Sequence, residues 1–377
     1  MNLKFMKKKK YQICLKCVMD VTDPEIIFDE KGVCNHCNNF KKTISKRWFP
    51  NDEGKKKLSK IFSHIKKQGN KQEYDCIIGL SGGVDSSYLA LVLKDYGLRP
   101  LAIHVDAGWN SELAVYNIEQ IIKYCRFDLH TVVMDWSEVK DLQLAYLKSG
   151  VINQDVVQDH AFIVSLYEYA VKNKIKYIIN GGNIATESIF PHSWKHPHMD
   201  SINLKSIHKK FGKHKLINYR TMSLFNYFFY YPLIKDLTNI QPLNFMEYDR
   251  AKSIKYLEDK VGYKNYGLKH GESQFTKFYQ NYYLPKKFNI DKRRPHLSSQ
   301  ILSGELTRKE ALNELKKPLY NKIELNEDKI YIAKKLGISL NELDQFITRE
   351  GRHHAEYANW NFIYKFIMII KKVINKI

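Results

Sequence analysis

Ile77-Ile78-Gly79-Leu80-Ser81-Gly82-Gly83-Val84-Asp85-Ser86-Ser87 is the stretch on which the reading of the whole chain turns. The apolar run from Tyr74 to Leu80 predicts a buried strand, and it stops at a serine followed by two glycines. Asp85 then opens a helical pattern (Tyr88, Leu89, Leu91, Val92, Leu93) that ends near Gly97. A strand feeding a glycine turn and a helix N-terminus presents unpaired backbone N–H groups and a positive dipole end to an anion. Gly82 and Gly83 let phosphate approach the backbone, and Ser81, Ser86 and Ser87 add hydroxyl donors. One glycine pair alone would read as an ordinary strand-to-helix turn; SGGVDSS as a unit does not.

Downstream, strand and helix patterns alternate. Leu101–Asp106 predicts a second strand, Ser111–Tyr124 a helix, and Leu129–Met134 a third strand. Helical segments follow at Val139–Leu147 and Asp155–Val171, then a fourth strand at Lys176–Asn180. This alternation predicts an α/β fold with a doubly wound parallel sheet, its ligand crevice beyond the carboxyl ends of the strands. At those ends lie SGGVDSS, then His104-Val-Asp106-Ala-Gly108-Trp109-Asn110, then Gly181-Gly182-Asn183-Ile-Ala-Thr186-Glu187-Ser188. A solvated loop glutamate is the ordinary reading of Glu187 alone; agreement of three strand ends favours a functional one.

Upstream, Cys14-Leu-Lys-Cys17 and Cys34-Asn-His-Cys37 are separated by sixteen residues. Two close pairs at this spacing predict a zinc ribbon, and four thiolates closing the site predict a structural ion. His36, inside the second knuckle, reads as a bystander. Met1–Lys10 is basic with no apolar region after it, so no secretory signal is expected, and disulfides with it. The predicted organisation is a ribbon over 1–45, a linker helix over 46–72, the sheet domain over 73–250 and a helical region over 251–377.

The formal net charge is +21, from 61 basic against 40 acidic residues, which favours anionic partners. A host with an AT-rich genome yields the same lysine-, tyrosine- and phenylalanine-rich composition. The most apolar stretch, Trp360–Ile370, is too short to span a bilayer and contains Lys365; with Lys371, Lys372 and Lys376 it forms an apolar helix with a basic tail. Core or oligomer packing is expected of it, membrane-surface contact being the other reading. A cytoplasmic location is expected. The loop Pro191–Asp200, with His192, His196 and His198, reads as a substrate-facing lid rather than a metal site. The aromatic run Thr221–Tyr231 reads as cover for the sheet, and a helix is expected from Arg250 to Lys260.

SGGVDSS resembles the pyrophosphate-binding loop of the N-type ATP pyrophosphatases (PP-loop superfamily, adenine nucleotide α-hydrolase-like fold), and it lacks the Gly-Lys-Ser/Thr ending of a P-loop kinase. That resemblance implies ATP cleaved between its α and β phosphates, with Ser81, Gly82, Gly83, Val84, Ser86 and Ser87 in the loop. It makes Asp106, Gly181, Gly182 and Asn183 nucleotide contacts, and Asp85 and Glu187 ligands of Mg²⁺. The pattern from Glu272 through Phe275-Thr-Lys277-Phe278-Tyr279-Gln280 to Leu284-Pro285-x-Lys287-Phe288, then Asp291-Lys292-Arg293-Arg294-x-His296-Leu297-Ser298, is similar to the N-acetyl sugar amidotransferase family of surface-polysaccharide (LPS, O-antigen) and pseudaminic-type sugar biosynthesis. Membership implies an ATP-dependent amidotransferase acting on an acetamido group, nucleotide-linked or free. It also implies ammonia from a separate glutaminase with a cyclase-like subunit, because the chain carries no glutaminase signature. Asp85, Lys277, Arg293 and Arg294 are the catalytic candidates; the three cations are taken to face developing charge or substrate phosphates. The alternative is a tRNA-thiolating PP-loop enzyme. The absence of any cysteine after Cys125 counts against it, and nucleic acid is not the expected partner. A third reading, a docking protein with a vestigial loop, conflicts with the intact SGGVDSS.

Overall fold

A computed structural model describes residues 10–194, 196–267 and 271–374, with side chains through 368. The basic start of the chain, Lys195, Lys269–His270 and Lys376 lie outside the described residues, as do the side chains of Lys371 and Lys372.

Chain order begins with the cysteine ribbon, α1 (Asn35–Asn39) inside it, and α2 (Asp52–Gly69). The sheet region runs β1 (Cys76–Gly79), α3 (Val84–Asp95), β2 (Pro100–Asp106), α4 (Glu112–Cys125), β3 (Asp128–Val133), α5 (Trp136–Ser149), α6 (Val156–Lys172), β4 (Tyr177–Ile179), α7 (Ile184–Glu187), α8 (Ser201–Phe211), β5 (Thr238–Ile240) and α9 (Arg250–Val261). Short helices complete it: α10 (Gln274–Phe278), α11 (Leu284–Phe288), α12 (Arg293–Ser303), α13 (Arg308–Lys316), α14 (Lys322–Leu336), α15 (Leu340–Thr348) and α16 (Asn361–Ile374).

The five strands are all parallel in the order β3-β2-β1-β4-β5. Strand residues alternate between two apolar layers, as a period of two requires. Ile78, Ala102 and Ile179 pack with Phe62, Leu89 and Ile118 on one face. Ile77, Leu101, Ile103 and Ile178 pack with Val164 and Tyr167 of α6 on the other. Helices on both faces make the sheet doubly wound. Strand order reverses at β1/β4, so their carboxyl ends diverge into a crevice. α9 adds Leu257, and the following Tyr263, to the first layer.

Two features escape the sequence pattern. β5 is three residues long and mostly exposed, too short for a periodicity to register. The aromatic run contains a wide helix at Asn226–Ile234, in which Phe228 and Tyr231 are buried while Leu233 and Ile234 face solvent. It covers the sheet with one side only.

Candidate active site

The crevice between the ends of β1 and β4 is a cavity of about 190 Å³ lined by Ser81, Gly83, Val84, Asp85, Ser86, Gly181, Gly182, Glu187, Arg250, Tyr266 and Glu272. Gly82 has φ +78, and a Cβ there would meet the Ala114 carbonyl oxygen at 2.5 Å, so a side chain is excluded by both conformation and space. Inside the loop, the Gly83 amide donates to Ser81 Oγ (3.2 Å), and Ser86 Oγ donates to the Gly83 carbonyl (3.2 Å). These bonds hold the turn so that the first amides of α3 open on the cavity. A Cβ on Gly181 would lie 3.0 Å from the Asp85 carbonyl carbon, so glycine lets the β4 turn approach the start of α3.

Asp85 accepts a short hydrogen bond from Tyr248 Oη. Burial, and then the Asp85 charge, push the Tyr248 hydroxyl far above the ordinary tyrosine range, so it stays a donor. The Tyr266 hydroxyl is raised likewise, by burial and then by Glu272. Arg250 is the basic side chain among the described residues lining the cavity, which also holds the three carboxylates Asp85, Glu187 and Glu272. Carboxylate oxygens are the donors a hard cation such as Mg²⁺ takes, but these three do not converge as a set: among the described residues, the group of three or more ligand side chains close enough to share one ion is the four ribbon cysteines.

The structure therefore brings Ser81, Gly83, Val84, Asp85, Ser86, Gly181, Gly182 and Glu187 to one cavity, while Gly82 braces the turn from behind. Asn183 caps α7, accepting from the Thr186 amide at 2.9 Å, and Ser87 is buried in α3. Asp106 shapes its own loop, accepting from the Gly108 amide (2.8 Å) and Asn110 Nδ2 (3.0 Å). His104 joins that loop to the first. Its Nδ1 lies 3.0 Å from the Leu80 carbonyl oxygen and its Nε2 2.9 Å from Asn110 Nδ2, and burial lowers its pKa, so the ring is a neutral Nδ1–H donor. Arg250, Tyr266 and Glu272 also line the cavity, and Tyr248 reaches it through Asp85, none of them expected there from the sequence. Glu272 sits at the head of the Phe-Thr-Lys-Phe segment, but neither spacing nor composition marks the other three.

Lys277, Arg293 and Arg294 are not among the lining residues. Lys277 pairs with Glu324 (2.6 Å) and Asp328 (2.8 Å), tying α10 to α14. Arg293 pairs with Asp291 (2.8 Å) and donates to the carbonyls of Glu314 and Lys317, closing the end of α13. Arg294 pairs with the buried Asp20 (3.0 Å) and donates to the Val18 carbonyl (2.8 Å), clamping the ribbon. A cation motif on the surface of a sequence becomes scaffold once acidic partners from distant segments fold against it.

The expected histidine lid is also corrected at His196, which is buried, stacks on His354 with centroids 4.8 Å apart, and lies 2.9 Å from Asn203 Oδ1. His198 contributes its carbonyl to His160 (2.9 Å).

In the ribbon, the ligand atoms of Cys14, Cys17, Cys34 and Cys37 all lie within 4.8 Å of one another. The Cys14–Cys37 and Cys17–Cys34 sulfurs are 3.9 and 3.6 Å apart, far beyond a disulfide and bracketing the roughly 3.8 Å edge of a tetrahedron with about 2.3 Å zinc–sulfur bonds. Amides of Cys17 and Cys34 point at Cys14 Sγ (3.4 and 3.2 Å). The cluster is thus compatible with zinc. His36 turns away to Asp23 (2.7 Å). Arg308 grips the carbonyls of Cys14 and Cys17, so the ribbon is docked on α12 and α13. α12 in turn packs on α7, where the Ile189 amide donates to Ser299 Oγ (3.0 Å) and His296 Nδ1 meets the Thr186 carbonyl oxygen (3.1 Å).

Residues 272–371 match a family described as LPS biosynthesis protein WbpG-like, C-terminal domain. A curated relative, tRNA(Ile)-lysidine synthase of Chlamydia pneumoniae, is 26% identical over 188 residues, 48% of this chain and 50% of the relative. The chain spans about half the length of that relative. Among solved structures, NMN synthetase from Francisella tularensis is similar at 17% identity and a TM-score of 0.35, over 76% of this chain and 96% of that one. The NH3-dependent NAD synthetase from Campylobacter jejuni is similar at 16% identity and a TM-score of 0.27, over 34% and 57%. The matched segment supplies Glu272 to the cavity and contains the whole Phe-Thr-Lys-Phe and Asp-Lys-Arg-Arg pattern from which the sugar-amidotransferase resemblance was drawn. Residues 272–371 are thus similar to the WbpG-like LPS-biosynthesis C-terminal domain, and in this chain they follow a parallel sheet whose first strand ends at SGGVDSS.

Proposed function

We infer that this chain is the synthetase component of an ATP-dependent, AMP-forming amidotransferase acting on the acetamido group of an N-acetyl sugar in LPS biosynthesis. The observation carrying the reading is one cavity in which the SGGVDSS turn, the Gly181–Gly182 turn and Glu187 face each other at the switch point of the sheet. At about 190 Å³ it is smaller than the roughly 300–1,000 Å³ of sites enclosing a whole drug-sized ligand, so it suits the phosphate end of a nucleotide.

The amides at the start of α3 and the hydroxyls of Ser81 and Ser86 hold the β and γ phosphates. The acetamido oxygen attacks the α phosphorus, the bond to the β-phosphate oxygen breaks, and pyrophosphate leaves with that electron pair. Ammonia then attacks the acetamido carbon, AMP departs with the former amide oxygen, and loss of a proton leaves an acetamidino group. Arg250 faces the negative charge that grows on the phosphates. Asp85 and Glu187 would hold Mg²⁺, which would supply charge neutralisation to the leaving pyrophosphate. The ribbon cysteines would hold a structural zinc, away from the reaction. A separate glutaminase, with a cyclase-like subunit, supplies ammonia.

Thiolation of tRNA is disfavoured by the two cysteines outside the ribbon. Burial pushes the Cys76 thiol well above its usual range and that of Cys125 up to about 12, so neither offers a thiolate at neutral pH. The test is to incubate the chain with ATP, Mg²⁺, ammonium and diacetamido nucleotide sugars while following AMP, pyrophosphate and the mass of the sugar. AMP formation that requires the sugar, with a product one mass unit lighter, is expected; no sugar-dependent AMP from any of them refutes the reading.

A further inference from the structure

Two segments of this chain hold no acidic residue. Residues 201–235 contain seven Lys or Arg and eight aromatic residues, and residues 357–377 contain four Lys, without a single Asp or Glu in either. The fold places them side by side. Phe228 of the wide helix meets Trp360 and Tyr364 with centroids 5.7 Å away in each case, and Asn203 donates to the Ala358 carbonyl oxygen at 3.1 Å.

Both elements keep large apolar side chains in water. In a helix with i to i+5 bonds, residues four to five apart share a face. Phe225, Phe229 and Leu233 follow that spacing, with Phe225 and Phe229 stacked at 5.9 Å, and Leu233 is 72% exposed. On α16, Phe362 and Phe366, one turn apart, are 86% and 61% exposed, while Ile367 is buried against the body. Lys365 and Lys235 are exposed beside them. Among the described residues no helix is long and apolar enough to cross a membrane.

We propose that this face, built from α16 and the 225–234 helix, docks the protein on an anionic lipid surface, with the phenylalanines in the headgroup–acyl boundary and the lysines on lipid phosphates. Three features select that occupant. An amphipathic helix with an aromatic and aliphatic face and only basic charge is the pattern of an interface-lying helix. A second copy of the chain would bring two acid-free basic faces together, which like charge opposes. A protein interface enriches Arg and depletes Lys, whereas Arg220 is the one arginine among these basic residues and is paired with Glu168 (3.6 Å). Of the acids flanking the two segments, Asp236 is paired with Lys176 (2.9 Å), Asp200 is buried and accepts from the Trp360 amide (2.9 Å), and Glu356 accepts from the His353 amide (2.9 Å).

The test is co-sedimentation of the full chain with vesicles of phosphatidylcholine alone and of phosphatidylcholine with phosphatidylglycerol, at low and high salt. Partition is expected to be about tenfold stronger on the anionic vesicles and to fall with salt. The Phe362→Ser/Phe366→Ser variant is expected to lose it while keeping its circular dichroism, and Lys365→Gln to weaken it alone. Absence of binding to anionic vesicles, or binding unchanged in both variants, overturns the proposal. So does concentration-dependent dimerisation, or a complex with an acidic protein, that the phenylalanine changes abolish when no vesicle binding is seen. None of these outcomes bears on ATP cleavage, which is read separately in solution.

Discussion

Acidification from pH 7 to pH 5 is expected to destabilise the protein through three buried, neutral histidines. His160, His196 and His354 are all buried, and burial lowers their pKa values to about 4, about 3 and about 4. His160 is boxed by the Met222 amide, which donates to Nε2 (3.1 Å), and the His198 carbonyl, which accepts from Nδ1. A proton added to Nε2 would face that amide. In the unfolded chain each ring titrates near 6.5. Below that value the unfolded state binds a proton that the folded state refuses, so stability is complete above pH 6.5 and falls as pH drops towards the folded value. At pH 5 the ring is about 1.5 units below its unfolded pKa, which corresponds to about 2 kcal/mol per histidine. His196 and His354 stack on each other, so their contributions are coupled and three times that figure is a ceiling. Buried Asp155 acts in the opposite sense: burial raises its pKa, so it gains stability as pH falls through the raised value. The clean reading is therefore a difference. Urea unfolding of the wild type and His160→Gln at pH 7, 6 and 5 is expected to show the wild-type advantage shrinking by about 2 kcal/mol over that interval. An advantage that stays constant or grows would refute a neutral, desolvated His160.

Gly82→Ala puts a Cβ 2.5 Å from the Ala114 carbonyl oxygen at a left-handed φ; the loop strain is expected to lower the unfolding free energy by about 1–3 kcal/mol and, because relieving it displaces the turn, to weaken ATP binding about tenfold or more by calorimetry on the folded protein. Arg294→Met removes the cation from buried Asp20 while its hydrogen bonds from Tyr11 and Thr22 remain, so a stability loss of about 1–3 kcal/mol is expected in denaturant titration; ATP affinity measured below the transition should match the wild type if Arg294 serves the ribbon rather than the nucleotide. Cys34→Ser is expected to abolish one equivalent of bound zinc by elemental analysis and to lower the thermal midpoint. Retention of stoichiometric zinc would contradict the four-sulfur site. Tyr248→Phe removes the donor to Asp85 and is expected to raise the Mg²⁺ concentration needed for half-maximal AMP formation, with a smaller effect on the ATP requirement.

The parts of this protein that local patterning determines are those that depend on neighbours in the chain. Alternating apolar runs specify strands, glycine pairs specify turns, and Cys-x-x-Cys pairs specify knuckles, so four of the five strands, the loop at Ser81–Ser87 and the sulfur cluster follow from residues read in order. Glu187 joins that group because it follows a strand end, and strand ends in a parallel sheet point to a common side. What required the tertiary structure is the pairing of charges across long sequence separations. Lys277, Arg293 and Arg294 stand in a cation-rich motif, yet Glu324 and Asp328, Asp291, and Asp20 neutralise them away from the cavity. Arg250, Tyr248 and Tyr266 carry no local signature, and they enter the site, with Glu272 from the head of the Phe-Thr-Lys-Phe segment, because the chain around α9 and before α10 folds over the SGGVDSS turn. Sequence determines the turn at that loop through backbone conformation, which is local. Which side chains close over it is decided by burial and Coulomb pairing, which are not.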